Sequence, residues 1–162
     1  MNKSYLPLIS RIEKELNELD KILMKINRGW KKIEETEDEL FMDSVALNLH
    51  DYYACLERIF KLIASEIDES IPQGDSWHQD LLKQMETEIK NTRPPVLAED
   101  TTDQLDEYRG FRHVVRNVYT FNLSRKRIEP LVKNLPQLNR KLREDVEGFL
   151  SFLEEQAEAN NL

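Results

Sequence analysis

Hydrophobic residues recur along most of this chain at alternating intervals of three and four, which is the spacing of one face of an α-helix. A first stripe contains Leu8, Ile12, Leu16, Leu19, Leu23, Ile26, Trp30 and Ile33. A second contains Val45, Leu49, Tyr52, Leu56, Ile59, Ile63 and Ile67. The acidic segment EETEDEL, residues 34–40, separates them. The two stripes predict a long N-terminal antiparallel helix pair, whose first helix begins near Ser4.

The middle of the chain predicts a short helix, a loop and a further helix. Asp75 or Ser76 is suited to cap a helix that carries Trp77, Leu81, Leu82 and Met85. Residues 91–102 are predicted as a loop because two adjacent prolines exclude helix there. Thr102 is predicted to cap the helix that follows.

The C-terminal third continues the helical pattern. Ser124 is predicted to begin one helix, and Asn134 with Pro136 to open a last one, whose tail at 155–162 is expected to fray. No strand pattern and no internal repeat is visible. The predicted fold class is therefore all-α, a helical bundle of five or six helices forming a single domain over residues 1–162.

Composition supports this class and narrows the possible chemistry. Charged residues make up 33% of the chain, with only four glycines and six prolines, as in helical bundles. A single cysteine, Cys55, excludes an internal disulfide and a zinc-binding cysteine cluster, and its helical spacing predicts a buried structural thiol. No apolar run approaches the roughly 20 residues of a membrane span. The N-terminus does not resemble a signal peptide, so we expect a soluble, cytoplasmic protein with no membrane partner.

Charge is distributed unevenly. The net charge of −8 argues against general nucleic-acid binding. The window 108–127, however, contains six basic residues and no Asp or Glu, so the rest of the chain carries a net −14. Such a window predicts a local anion site on an otherwise repulsive surface.

The stretch FRHVVRNVYTFNL, residues 111–123, concentrates the candidate chemistry. At about 100° per residue its apolar side chains share one helix face, and the polar ones lie opposite. Together with Arg109, which stands two positions before the stretch, this polar set contains Arg112, His113, Arg116, Asn117 and Tyr119. No acidic partner stands at the i+4 positions, which favours an anion site over an ordinary solvated face. The arginines are suited to grip phosphate, Tyr119 to stack on or bond a nucleotide, and His113 to move a proton.

Other chemistries are less well supported. No second histidine or carboxylate stands three or four residues from His113, so no metal site is predicted, and without a glycine-rich phosphate loop no cofactor is predicted. Two histidines lie outside the stretch. His78 beside Trp77 is predicted to cap or pack a helix start, and His50 is predicted to be exposed.

Residues 112–119, RHVVRNVY, resemble the signature of HepT-like proteins, a branch of the HEPN superfamily: Arg, four residues, His, one residue, Tyr. The segments WHQDLLKQM, RPP and NLPQLNRKLREDVEGFLSFLEE are also similar to that group, so the resemblance covers residues 75–155. It implies a HEPN-like helical bundle and a metal-independent endoribonuclease toxin. Such toxins act as dimers whose motifs meet at one cleft, and a minimal nucleotidyltransferase antitoxin silences them.

Carried over residue by residue, the resemblance implies that Arg112 is the catalytic arginine and that Tyr119 is the tyrosine that the antitoxin modifies with AMP. The chain departs from the signature at Asn117, where the family has histidine. Asn cannot accept and return a proton near neutral pH. Three explanations are compatible with it: a natural pseudo-enzyme, a deliberate replacement that permits expression of a toxic protein, or substitution by His113.

These observations leave three functions open. The first is a HepT-like ribonuclease toxin, active or weakened, with RNA as its substrate and a nucleotidyltransferase as its partner. The second is a non-catalytic helical module that binds RNA, a nucleotide or a partner protein through the basic face of the fourth helix. The third is a coiled-coil scaffold. A homodimer is predicted because positions 112 and 117 diverge by about 140° on a regular helix and do not readily flank one phosphate.

Overall fold

The computed structural model describes residues 4–117 and 123–160, and in these ranges it contains five α-helices and no strand. The helices are α1 (Leu6–Thr36), α2 (Glu39–Ile63), α3 (Trp77–Glu86), α4 (Glu99–Asn117) and α5 (Arg125–Ala159). A single π-helical turn, Ala64–Asp68, continues α2. The predicted all-α bundle is confirmed.

The two long N-terminal helices form the predicted antiparallel pair. α1 ends where Glu37 takes a left-handed conformation and its N–H bonds the carbonyl of Ile33. Asp38 then caps α2 by accepting a hydrogen bond from the Leu40 N–H at 3.0 Å. Because this turn is so short, α2 runs back along α1, and Arg58 bonds Glu15 across the pair at 3.1 Å.

α4 begins earlier than predicted, at Glu99, so Thr102 lies inside the helix and does not cap it. Its cap comes from another helix. Asp145 on α5 accepts hydrogen bonds from the Ala98 N–H at 3.0 Å and the Thr101 hydroxyl at 2.7 Å. The Thr102 hydroxyl lies within hydrogen-bonding distance of both the Glu99 carbonyl and the Glu86 carboxylate, which share its one hydrogen. A cap supplied by a distant residue cannot be recognised from the local sequence.

α5 is one continuous helix, so the predicted break near Asn134 is wrong. Pro130 and Pro136 lie inside it, although each removes one backbone hydrogen bond. An unbroken buried stripe compensates for these losses: Ile128, Leu131, Val132, Leu135, Leu138, Leu142, Val146, Phe149, Leu150 and Leu153. Residues 155–159 are helical rather than frayed because Ala157 is also buried. Residues 161 and 162 lie outside the described ranges.

The buried hydrophobic side chains of all five helices join into one core cluster. Cys55 belongs to it, as predicted, and its S–H donates to the Glu15 carbonyl at 3.3 Å. Burial raises the pKa of this thiol to about 12. None of the helices in residues 4–117 and 123–160 is long and apolar enough to cross a bilayer.

Candidate functional site

A cavity of about 370 Å³ lies between the N-terminus of α3 and the C-terminal half of α4. Its lining residues are Asp75, Ser76, His78, Gln79, Arg109, Arg112 and His113. Three of the predicted site residues, Arg109, Arg112 and His113, therefore share one cavity. A larger groove of about 660 Å³ between α1 and α2 contains none of the predicted site residues.

The side chain of Arg112 is largely enclosed by the protein. Its side chain is 16% exposed, and its neighbours in the helix, Tyr108 and Phe111, belong to the core. The guanidinium Nη1 lies 3.3 Å from both ring nitrogens of His78 and 3.8 Å from a carboxylate oxygen of Glu57. Its Nε is buried and has no hydrogen-bond partner among the described residues. A buried donor without a partner costs about 1–3 kcal/mol.

Glu57 and His78 form a close pair beside Arg112. The carboxylate of Glu57, on α2, lies 2.6 Å from Nδ1 of His78, near the start of α3. The Glu57 side chain is only 5% exposed, and a buried carboxylate requires charged or hydrogen-bonding partners. His78 supplies one, and Arg112 supplies a second at longer range.

The ring of His78 is fixed by its neighbours. The Trp77 ring lies against it, with 3.5 Å between ring centroids and 31° between planes. Lys61 Nζ in turn sits 4.2 Å from the centroid of Trp77. His78 therefore packs against Trp77 as predicted, but it does not cap α3, since Ser76 occupies the N-cap position. Its ring belongs to the site, which the sequence interpretation missed.

More of the basic residues in the window 108–127 have acidic partners than predicted. Arg109 Nε bonds Asp106 at 2.7 Å, three residues earlier on α4. Arg112 faces Glu57 on another helix, and Arg125 lies 3.9 Å from Glu129. Asp106 lies three residues before Arg109, and Glu57 lies far from Arg112 in sequence, so inspection of i+4 positions did not reveal these two partners. Glu129 is the i+4 partner of Arg125, which follows the stretch 111–123. The site is a cationic cavity with internal counter-charges rather than an uncompensated patch.

Tyr53, one helical turn before Glu57 on α2, contributes a second buried polar atom near the site. Its hydroxyl has no hydrogen-bond partner among the residues described. Burial, and then the charge of Glu57, raises the pKa of this phenol well above its ordinary value. Tyr53 is therefore a neutral group near the cavity. The burial of Glu57 was recognisable in principle, because Tyr53, Leu56 and Phe60 lie on the same face of α2, but its contact with Arg112 was not.

The structure describes the side chains of some of the remaining predicted site residues and not of others. His113 is exposed at the cavity wall. Arg116 and Asn117 complete α4, but their side chains lie outside what is described, as does all of Tyr119. His50, predicted to be exposed, is largely covered, with 19% of its side chain exposed and Nδ1 3.3 Å from Asp51. Over residues 4–117 and 123–160, no group of three or more His, Cys, Asp or Glu side chains could hold a metal ion.

A family model described as "HepT-like protein" matches residues 44–153, a segment that contains Glu57, His78 and Arg112. The chain has no significant match among curated proteins or among solved structures.

Proposed function

The chain belongs to the HepT-like protein family, and on this premise we propose that it is the toxin of a toxin–antitoxin system, an endoribonuclease that acts without a metal ion. The observation that carries this proposal is the position of Arg112. The arginine of the family motif lies in an accessible cavity, beside a histidine and a buried carboxylate. Cleavage of an RNA phosphodiester requires a cation that binds the phosphate and a neighbouring group that transfers a proton.

The contacts of Arg112 suit a residue that binds a phosphate. Its distance of 3.8 Å from Glu57 is too long for a direct hydrogen bond, so the Glu57 carboxylate does not occupy the donors of Nη1. Guanidinium groups bind phosphate through two parallel hydrogen bonds. Arg109 adds a second cation to the same cavity wall, and Arg116 follows on the same helix.

We further propose the partners that the family implies. RNA is the substrate, and a minimal nucleotidyltransferase is the antitoxin, which silences the toxin by attaching AMP to Tyr119. The active form is a cytoplasmic homodimer in which the α4 helices of two subunits face one cleft. Pairing of two cavities of this kind would bring Arg112 of one subunit near position 117 of the other.

A second candidate function is a non-catalytic module that binds RNA, a nucleotide or a partner protein through α4. The observation that favours it is Asn117 at the position of the family's histidine, since an amide cannot transfer protons. The two functions predict different behaviour toward RNA. Both give binding, and only the first gives cleavage products.

The test uses the purified chain, a labelled RNA and a chelator. Cleavage that persists with the chelator is expected, and Arg112→Ala should weaken RNA binding by about 1–3 kcal/mol. Arg127→Ala is the matched control, because Arg127 is an exposed arginine at the start of α5 and lies outside the cavity. Equal losses at both positions would indicate a diffuse basic surface. Binding without any cleavage would favour the non-catalytic module.

A further inference from the structure

We propose that His78, oriented by the buried carboxylate of Glu57, is the general base of RNA cleavage in this chain. The inference rests on the proposed ribonuclease function. It assigns to α3 the proton transfer that the family motif assigns to position 117. His78 lies outside that motif, 34 positions before Arg112 in the sequence.

The geometry of the Glu57–His78 pair is that of an oriented base. Glu57 Oε2 lies 2.6 Å from Nδ1, so the carboxylate accepts a hydrogen bond from Nδ1–H and fixes the tautomer that leaves Nε2 with a lone pair. A buried carboxylate holding an imidazole in this way is the usual support of a catalytic histidine. The Glu57 side chain is 5% exposed, whereas that of His78 is 25% exposed. The pair therefore has a buried end that orients and an open end that can meet substrate.

The position of Arg112 connects this base to the phosphate. Its Nη1 is equally distant, at 3.3 Å, from Nδ1 and Nε2 of His78, and both side chains line the same cavity. A phosphate held by Arg112 would therefore lie within a few ångströms of the imidazole. The 2′-hydroxyl that attacks this phosphate belongs to the adjoining ribose, which places it within reach of a base at that distance.

Nε2 of His78 takes the proton of the ribose 2′-hydroxyl while the 2′-oxygen forms a bond to phosphorus and the bond from phosphorus to the 5′-oxygen breaks. The leaving 5′-oxygen takes a proton from water, and His78 returns its proton to solvent. The products are a 2′,3′-cyclic phosphate and a 5′-hydroxyl. Arg112 neutralises the charge on the phosphoryl oxygens, and no metal or cofactor takes part.

Two other residues compete for this role. Asn117 occupies the family's position but has no proton-accepting nitrogen. His113 lines the cavity as well, and it is exposed on α4. His78 is preferred because a buried carboxylate lies at its Nδ1, the motif arginine lies beside its ring, and Trp77 restricts the ring's rotation.

The experiment measures kcat and KM for chelator-resistant cleavage of an RNA oligonucleotide. His78→Gln keeps a hydrogen-bonding side chain that cannot transfer protons, and we expect it to lower kcat by about 10²–10⁴-fold with little change in RNA binding. His78→Ala should lose a similar amount and recover part of it when imidazole is added, which a purely structural role would not allow. Glu57→Gln should lower kcat less, because it misorients the base without removing it. His50→Gln is the control, since His50 lies outside the cavity.

The outcomes separate the inference from the proposed function. Full activity of His78→Gln would overturn the inference, and loss at His113→Gln instead would assign the base to His113. Unfolding of both His78 variants, seen by circular dichroism, would show that the Glu57–His78 pair is structural and would also overturn it. If the unaltered chain binds RNA and cuts none, the ribonuclease function itself fails.

Discussion

A buried ion pair between Arg93 and Asp68 fixes the segment that follows α3 to the π-helical turn that ends α2. The two side chains are 0% and 2% exposed. Arg93 Nε and Nη2 reach the two oxygens of Asp68 at 2.6 and 2.7 Å. The other donors bond the carbonyls of Thr87, Pro94 and Gln84 at 3.0–3.1 Å. All five N–H groups of the guanidinium are therefore used.

Arg93→Ala should destabilise the chain by about 3–5 kcal/mol, the cost of removing one partner from a buried ion pair. The Asp68 carboxylate would remain buried with the Gln84 amide as its neighbour at 2.8 Å. Three carbonyls would also lose their donor, at up to about 1–3 kcal/mol each where water cannot replace it. α3 carries His78, so loss of this anchor should also lower activity at the cavity.

Urea unfolding followed by circular dichroism measures this cost, provided that the m-value is unchanged. Arg143→Ala is the matched control. Arg143 bonds Asp20 at 2.8 Å, but the side chains are 28% and 51% exposed, so a loss of only about 0–1 kcal/mol is expected. The double variant Arg93→Met with Asp68→Leu should recover much of the loss, because no charge is then left buried. A cost of Arg93→Ala no larger than that of Arg143→Ala would refute the reasoning.

Four further predictions concern other parts of the chain. Asn117→His restores the histidine of the family signature, so it should raise RNA cleavage by up to about 10²–10⁴-fold and become toxic to a host cell. A folded variant that neither cuts RNA nor slows growth would contradict the ribonuclease function. Sedimentation should show a homodimer; a folded monomer would count against the shared cleft. Gly29→Ala should lower the free energy of unfolding by about 1–3 kcal/mol through overpacking, because its Cβ would lie 2.8 Å from the buried Val45. Gly148→Ala meets open space in α5 and should raise the free energy of unfolding by about 0.5–1 kcal/mol. Burial raises the pKa of Cys55 from 9.0 to about 12, so this thiol should resist thiol reagents until the chain unfolds, and rapid labelling of the folded chain would exclude this burial. The contribution of Cys55 to stability should be lost as pH rises from 9 towards 12, because the thiol of the unfolded chain ionises first.

The sequence by itself determined the helices whose ends depend on local residues. The apolar stripes predicted α1, α2 and α3, because a helix that buries one face must repeat its apolar residues every three or four positions. The same local reasoning failed at the start of α4 and within α5. There the deciding groups were Asp145, which caps α4 from α5, and the continuous packing that offsets Pro130 and Pro136.

Some residues of the candidate site were also predictable from the sequence, and others were not. Arg109, Arg112 and His113 were recognisable because they stand within five positions on one helix, and a contiguous motif fixes their relative directions. Glu57 and His78 were not, since they come from α2 and α3 and meet Arg112 only where those helices pack against α4. A charged side chain shows its sign in the sequence but not its partner. The packing of α2, α3 and α4 decides whether that charge meets water, another charge or a histidine.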